Sequence, residues 1–326
     1  MESDRPCETE RRLRGLLAEG QLELPLPAGG ETSERFHGLQ HLAAREDLSV
    51  ARLAEAHCDA AAIVAECDRS LPADALAGVW ASRYGGGSVN ATPEPDGGWR
   101  LSGRLRFCSG AALLDAALVD ARLADGHQQL FLVPLRQGGL DIDGSSWRTP
   151  ALAATETASV DLDVVVDADA AIGEPDFYLS RPGFWHGAIG VAACWAGGGR
   201  GVHEATLAYV RESQLHAVTN VGRSAAACWA MTAMLDAAAR DIDTRPADVD
   251  AAYALTVRQL VATACDEIVE ASRRATGPGP AVFDATHNRR IADLRLYVEQ
   301  QHYEADLTEI GTAALRHEWP PGRRRL

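Results

Sequence analysis

The chain has 326 residues, with 31 basic against 46 acidic side chains and a formal charge of −15. Hydrophobic residues make up 46% and charged residues 24%, a composition that belongs to a folded globular protein and excludes a disordered one. The acidic balance, with a pI near 5.1, also excludes nucleic acid or an anionic membrane surface as the main partner.

At roughly 150 residues per domain the length allows two or three domains. No stretch of about 18 apolar residues offers a membrane span, and the N-terminal text MESDRPCETERRLRG lacks the apolar core of a secretory signal. Every one of the 31 basic residues is arginine, which together with the heavy use of Ala, Gly and Asp suggests a GC-rich bacterial coding bias. The seven cysteines are scattered with no CxxC spacing, so neither a disulfide framework nor a zinc site is expected. The expectation is a soluble cytoplasmic protein with reduced thiols.

In chain order, residues 1–35 are charged and then Pro/Gly-rich, and are expected as a flexible arm or a single short helix. Residues 36–80 read as a short N-terminal helical domain. In SVARLAEAHCDAAAIVAE, Val50, Leu53, Ala54, His57, Ala61 and Val64 recur at three- and four-residue spacing, with Ser49 as the expected N-cap. Residues 81–175 change texture at Gly85, Gly86 and Gly87. Six runs follow (SVNATPEP, WRLSGRLRF, AALVDARLA, QQLFLVPL, LDIDG and ASVDLDVVV), and turn text such as DGG, RQGG and DGSS separates them. That spacing predicts a middle antiparallel β-domain, a small sandwich or barrel. Residues 176–315 are Ala-rich helical text over 183–216, 221–242, 247–275 and 285–312, broken at TRPAD and GPGP, which predicts an up-down four-helix bundle. Residues 316–326 form a solvated tail. The fold class is α+β, helices then strands then helices.

Gly197-Gly198-Gly199-Arg200-Gly201 lies inside helical text and follows no strand, so it is not a dinucleotide fingerprint. There is no P-loop, GxSxG or HExxH, and His302 with Glu304 has no second HxxE copy, so no metal site is expected. FCSGA, Phe107 to Ala111, closes a β-run with a small hydroxyl and an exposed glycine backbone. Such a segment either sets donors against a flat heterocycle or is a plain tight turn. The turn GPGPAVF, Gly277 to Phe283, is likewise either a helix breaker or a close backbone approach to a phosphate-bearing ligand.

The α–β–α order, GGWRLSGRLRFCSGA, ATETASVDLDVVVDADAAIGEP, GAIGVAACWAGGGRGVHEATLAYVRES and GPGPAVFDATHNRRIAD together resemble the acyl-CoA dehydrogenase superfamily of flavoproteins, over about residues 36–312. The resemblance implies FAD and a homodimer or homotetramer. It places Phe107, with Cys108 beside it, against the flavin and Ser109 as a hydroxyl that hydrogen-bonds the isoalloxazine. Trp80 to Ser82 would run under the pyrimidine edge, and Thr155 and Thr157 would flank the ring or ribityl chain. Gly277 and Gly279 take the turn that approaches the adenosine half of FAD, and Arg211 and Arg274 stand near the family's Arg and Gln positions.

The sequence also departs from the family. Eight residues past Asp293, where most members carry the glutamate that removes the α-proton, stands Gln301, and a carboxamide cannot accept that proton. His302, His186 and Glu299 are the candidate replacements. The helical text before the strands is also short for the family. The expected activity is α,β-dehydrogenation of an acyl thioester, CoA-linked or not, or of a related small acid, with an unspecified electron acceptor. The alternatives are a flavin-dependent monooxygenase of the same fold and a non-catalytic subunit paired with a complete homologue.

Overall fold

The computed structural model describes residues 7–82, 87–316 and 318. The described residues divide into two compact units, residues 1–23 with 52–184 and residues 24–51 with 185–326. Together, among the described residues, they hold ten helices and eight strands, α1 (Glu8–Ala18), α2 (Thr32–Arg45), α3 (Leu48–Ala65), β1 (Ala77–Trp80), β2 (Ser88–Pro93), β3 (Trp99–Cys108), β4 (Ala116–Arg122), β5 (Gln128–Pro134), β6 (Leu140–Asp143), β7 (Ala158–Val166), β8 (Ala171–Ile172), α4 (Phe177–Ser180), α5 (Gly183–Leu207), α6 (Leu215–Thr244), α7 (Ala251–Thr276), α8 (Gly279–Phe283), α9 (Ala285–Val298) and α10 (Glu304–Leu315).

The first unit is a single eight-stranded sheet in the order β6-β7-β3-β2-β4-β5-β8, with β1 pairing β4. The six predicted runs are β2 to β7, but the sheet is mixed and not purely antiparallel. β1 lies parallel to β4, Ala77 opposite Ala116 through Trp80 opposite Val119, and β2 touches β4 in parallel at Asn90 and Arg122. The parallel entry is fixed at its first residue. Leu76 donates its N–H to Asp115 Oδ2 at 2.8 Å, and Asp115 returns its own N–H to the Leu76 carbonyl at 2.8 Å. Ala60, Ile63 and Val64 of α3 close one face over Ala77, Ala116, Leu118, Leu130 and Ile172, all essentially out of water. At roughly 25 cal/mol per Å² of apolar area, that layer is what holds α3 on the sheet.

Within residues 1–35, α1 is the short helix of that expectation, and α2 already begins at Thr32. α1 is capped by Cys7, whose sulfur accepts from Glu10 N, and Leu13 and Leu16 are fully buried. Arg14 forks onto Asp115 at 2.7 and 2.8 Å, so α1 braces the same carboxylate that sets β1 beside β4. The N-cap of α3 is Asp47, not Ser49. Asp47 Oδ1 accepts from Ser49 N at 2.9 Å, because the helix starts one residue before the expected cap.

In the second unit α5, α6, α7 and α9 pack together. Cys265 on α7 reaches the Trp195 carbonyl on α5 and Met231 on α6, and Trp195 meets Tyr297 of α9 edge to face at 6.4 Å. The glycine run of α5 lets α2 approach closely. A Cβ at Gly197 would lie 2.3 Å from the Gln40 carbonyl oxygen, and one at Gly201 3.0 Å from that of Ala44. The helix expected over 285–312 is broken into α9 and α10, with residues 299–303 between them, and the helix expected over 183–216 ends at Leu207. Apart from Arg316 and Glu318, the tail lies outside the described residues, as do Gly85 and Gly86. No helix among the described residues is long and apolar enough to cross a membrane.

Candidate functional site

The alternating text of β3 ends in an irregularity. Its register against β7 shifts between Leu105 and Cys108, which frees Phe107 from the ladder. Phe107 takes φ +60° and Gly110 φ +74°, so the chain turns sharply out of the sheet there. A left-handed phenylalanine costs on the order of 1–2 kcal/mol. Across from it, Leu152 and Glu156 also have positive φ, at 52° and 47°, and bracket Thr155. Gly110 N donates to the Thr155 carbonyl at 2.8 Å and locks the two strained turns together. Strain of this kind persists only where the surroundings enforce it, and it gathers at binding sites.

The hydroxyls between the turns form a chain. Thr155 Oγ1 donates to the Leu152 carbonyl at 2.7 Å and lies 2.7 Å from Thr157 Oγ1, which lies 3.2 Å from Ser109 Oγ. Each hydroxyl has one proton, so with that of Thr155 spent on the carbonyl, the chain leaves Ser109 Oγ with a lone pair that can accept from a ligand N–H. Trp80, at the end of β1, donates its indole N–H to the Ser109 carbonyl at 3.0 Å. The fold therefore brings Trp80, Phe107, Cys108, Ser109, Thr155 and Thr157 to one place. Cys108 is part of that cluster through its backbone, since its side chain is fully buried in the core and burial pushes the thiol up to about 12. Ser82 is exposed beyond β1.

Beside these turns lies a cavity of about 360 Å³. Its walls are Arg104, Arg106 and Phe107 of β3, Thr157, Ala158 and Ser159 at the start of β7, and the loop carrying Asp143, Ser145, Ser146, Trp147 and Arg148. The Trp147 ring meets Phe107 edge to face at 6.5 Å. Asp143 stays below the usual carboxylate range, because Ser145 donates to it from side chain and backbone and Arg104 lies beside it. Trp147 and the arginines were not among the residues singled out from sequence. The alternation of RLSGRLRF, which puts Arg104 and Arg106 on the exposed side of β3, is the feature that points to them.

The remaining candidates belong to the second unit. Arg211 lies between α5 and α6, its N–H bonded to Gln214 Oε1 at 2.8 Å. Arg274 is bound to Glu270 at 2.6 Å, and its neighbour Arg273 also binds that carboxylate, so the pair holds Glu270 down to about 2. Gly277 has φ +65° and caps α7, a helix-ending role, whereas Gly279 opens α8 with open space around it. Gln301 falls past the end of α9, buried, with its amide donating to Gln259 Oε1. Glu299 caps α9, and His302 is exposed with its N–H bonded to Asp306. His186 is buried, Nε2 at 3.2 Å from the Pro246 carbonyl. Because 299–303 is not helical, His302 and Gln301 do not stand on neighbouring faces of one helix as the unbroken reading requires.

No protein-family model matches the sequence, and no curated protein matches it. Solved structures match over nearly the whole chain. FMN-bound TdsC from Paenibacillus sp. A11-2 superposes with a TM-score of 0.78 at 18% identity, covering 97% of each chain. The same protein, described as dibenzothiophene monooxygenase, gives 0.76 at 20% identity and the same coverage. A nitrososynthase from Micromonospora carbonacea var. africana gives 0.76 at 17% identity, covering 94% of this chain and 89% of that one. At these identities the likeness establishes the fold. The chain shares the overall architecture of these proteins.

Proposed function

We propose that this chain binds a flavin against Phe107 and Ser109 and works as a flavin-dependent monooxygenase on a small ring- or heteroatom-bearing molecule. The observation that carries this reading is the pair of strained turns at Phe107–Gly110 and Leu152–Glu156, joined by the Ser109–Thr157–Thr155 hydroxyls beside an arginine-rich cavity. The residues fit a flavin. An exposed aromatic ring offers a flat edge, Ser109 offers a hydroxyl oxygen for a ring N–H, and Gly110 leaves no side chain in the turn, where a Cβ would sit 2.6 Å from Leu114. Trp80 and the two threonines hold that hydroxyl in place.

A reduced flavin supplies two electrons and two protons, so that one oxygen atom of O₂ enters the substrate and the other leaves as water. The protein's part is to orient the ring, keep the Ser109 hydroxyl aimed and limit water at the reacting edge. This reading is preferred to α,β-dehydrogenation because the counted base position is Gln301, whose buried carboxamide is engaged with Gln259 and cannot take a proton from carbon. The likeness to TdsC, a dibenzothiophene monooxygenase also solved with indole, supports the same choice.

The test is reconstitution of purified chain with flavin, NADH and a flavin reductase, following substrate-dependent oxygen uptake and an oxygenated product with indole and dibenzothiophene as first probes. Product formation is expected. Anaerobic bleaching of the bound flavin by acyl-CoA thioesters, with no oxygenated product, would return the dehydrogenase reading.

A further inference from the structure

Three arginines line the cavity beside Phe107, and they are not equivalent. Arg104 is committed, donating to Asp161 at 2.8 Å and to Asp143 at 3.2 Å. Arg106 and Arg148 are exposed and face no carboxylate within ion-pair distance among the described residues. Two uncompensated guanidinium groups on one small cavity run against the balance of a chain with a formal charge of −15. They repel each other unless an anion lies between them.

The walls that carry them are already fixed. Ser146 Oγ accepts from Ser159 N at 2.9 Å and donates to the Asp143 carbonyl at 2.8 Å, which fastens the loop to β7. Trp147 Nε1 donates to the Ala151 carbonyl at 3.0 Å, and Thr149 Oγ1 accepts from Ala151 N at 3.2 Å. Arg148 therefore leaves a braced turn between two anchored neighbours. Arg106 precedes Phe107, so a ring contact and a cation stand one residue apart. The wider cleft of the second unit offers less, since its His37 is held by Asp236 and its Arg200 by Thr232.

We propose that Arg106 and Arg148 are a phosphate clamp for the tail of a flavin mononucleotide whose ring lies against Phe107 and Ser109, an inference that rests on the flavin reading above. A guanidinium is permanently charged and grips phosphate oxygens two at a time, which a lysine does not. A cavity of about 360 Å³ accommodates a ribityl phosphate within the usual range for small-ligand sites. The clamp makes the site selective for a flavin ending in phosphate over riboflavin, which ends in a hydroxyl.

The experiment titrates the full chain with FMN and with riboflavin, reading flavin fluorescence, for the wild type, Arg106→Ala, Arg148→Ala and Arg100→Ala. Arg100 lies on the same strand outside the cavity, paired to Glu94 and Asp163, and serves as the control. The wild type should bind FMN more tightly than riboflavin by roughly tenfold to a hundredfold, the usual reach of charge-assisted hydrogen bonds. Each clamp variant should lose about tenfold in FMN affinity and leave riboflavin binding unchanged, which also shows that the variant is folded. Unchanged FMN binding in both variants overturns the clamp and leaves the flavin reading standing. A wild type that binds neither flavin overturns both.

Discussion

The indole N–H of Trp80 donates to the carbonyl of Ser109 at 3.0 Å, tying the end of β1 to the turn that follows β3. The bond joins residues that are 29 apart in sequence, and it fixes the backbone on which the Ser109 hydroxyl rides. Trp80→Phe removes the donor, leaves a part-buried carbonyl unsatisfied and opens a small void. We expect a loss of about 2–3 kcal/mol in urea unfolding together with weaker flavin binding. Weakened stability with unchanged flavin affinity would reduce Trp80 to a packing role.

Phe107 is held at φ +60° with its ring nearly half exposed. Phe107→Gly relieves on the order of 1–2 kcal/mol of backbone strain and gives up an edge contact with Trp147 of about 1 kcal/mol. The melting temperature should therefore stay close to that of the wild type while flavin affinity falls at least about tenfold. A variant that melts much earlier would show that the ring is there for stability.

His57 is buried, and desolvation lowers it from 6.5 to about 4. Its Nδ1 accepts from Ala77 N at 3.2 Å, which requires the neutral ring. Between about pH 4 and 6.5 the unfolded chain binds the proton and the folded chain does not, so stability is full above that window and falls on acidification through it. The full shift corresponds to at most about 3 kcal/mol. Burial also lowers His203 and His287, which act in the same direction. His57→Asn keeps an acceptor for Ala77 and does not titrate, so its melting temperature should fall less steeply from pH 6.5 to 4. An identical pH profile in the two proteins would contradict this.

Two glycine-to-alanine changes should act with opposite sign. Gly197→Ala places a methyl group 2.3 Å from the Gln40 carbonyl oxygen and must push α2 from α5, costing several kcal/mol, about 3 or more. Gly222 lies within α6 with nothing within 4 Å of an added Cβ, so Gly222→Ala should stabilise by about 0.5–1 kcal/mol through helix propensity. Thermal melts of the two variants decide the matter.

Much of the fold is legible because its signals are local. The alternation of β2 to β7 and the glycine turns between them mark those strands without tertiary help. β1 and β8 are four and two residues long, too short to show a period. The parallel placement of β1 depends on Asp115, 39 residues away, and no local pattern encodes it. α1 is legible as a single short helix from the spacing of Leu13 and Leu16, and the Pro/Gly text that follows it marks its end. The break after α9 has no glycine or proline to announce it. The buried engagement of Gln301 with Gln259 and of the Gln300 carbonyl with Arg258 overrides helix propensity there. At the candidate site, family likeness pointed to Phe107, Ser109, Thr155 and Thr157. The cavity arginines could be read only from which side of β3 they face.

The Asp115 carboxylate has a further consequence, which concerns the order of assembly. It gathers the Leu76 N–H from 39 residues back and the Arg14 guanidinium from 101 residues back. Contacts at such separation close long loops and come late, because chain entropy is lost before they return anything. The β2–β3 hairpin and the β4–β5 pair are local and can precede them. β1 docks after β4 is in place, carrying Trp80 to Ser109, so the turn that presents the hydroxyl is completed later than the local hairpins. A chain caught before that step would hold its hairpins and no finished site, and a ligand that binds there would draw β1 into place.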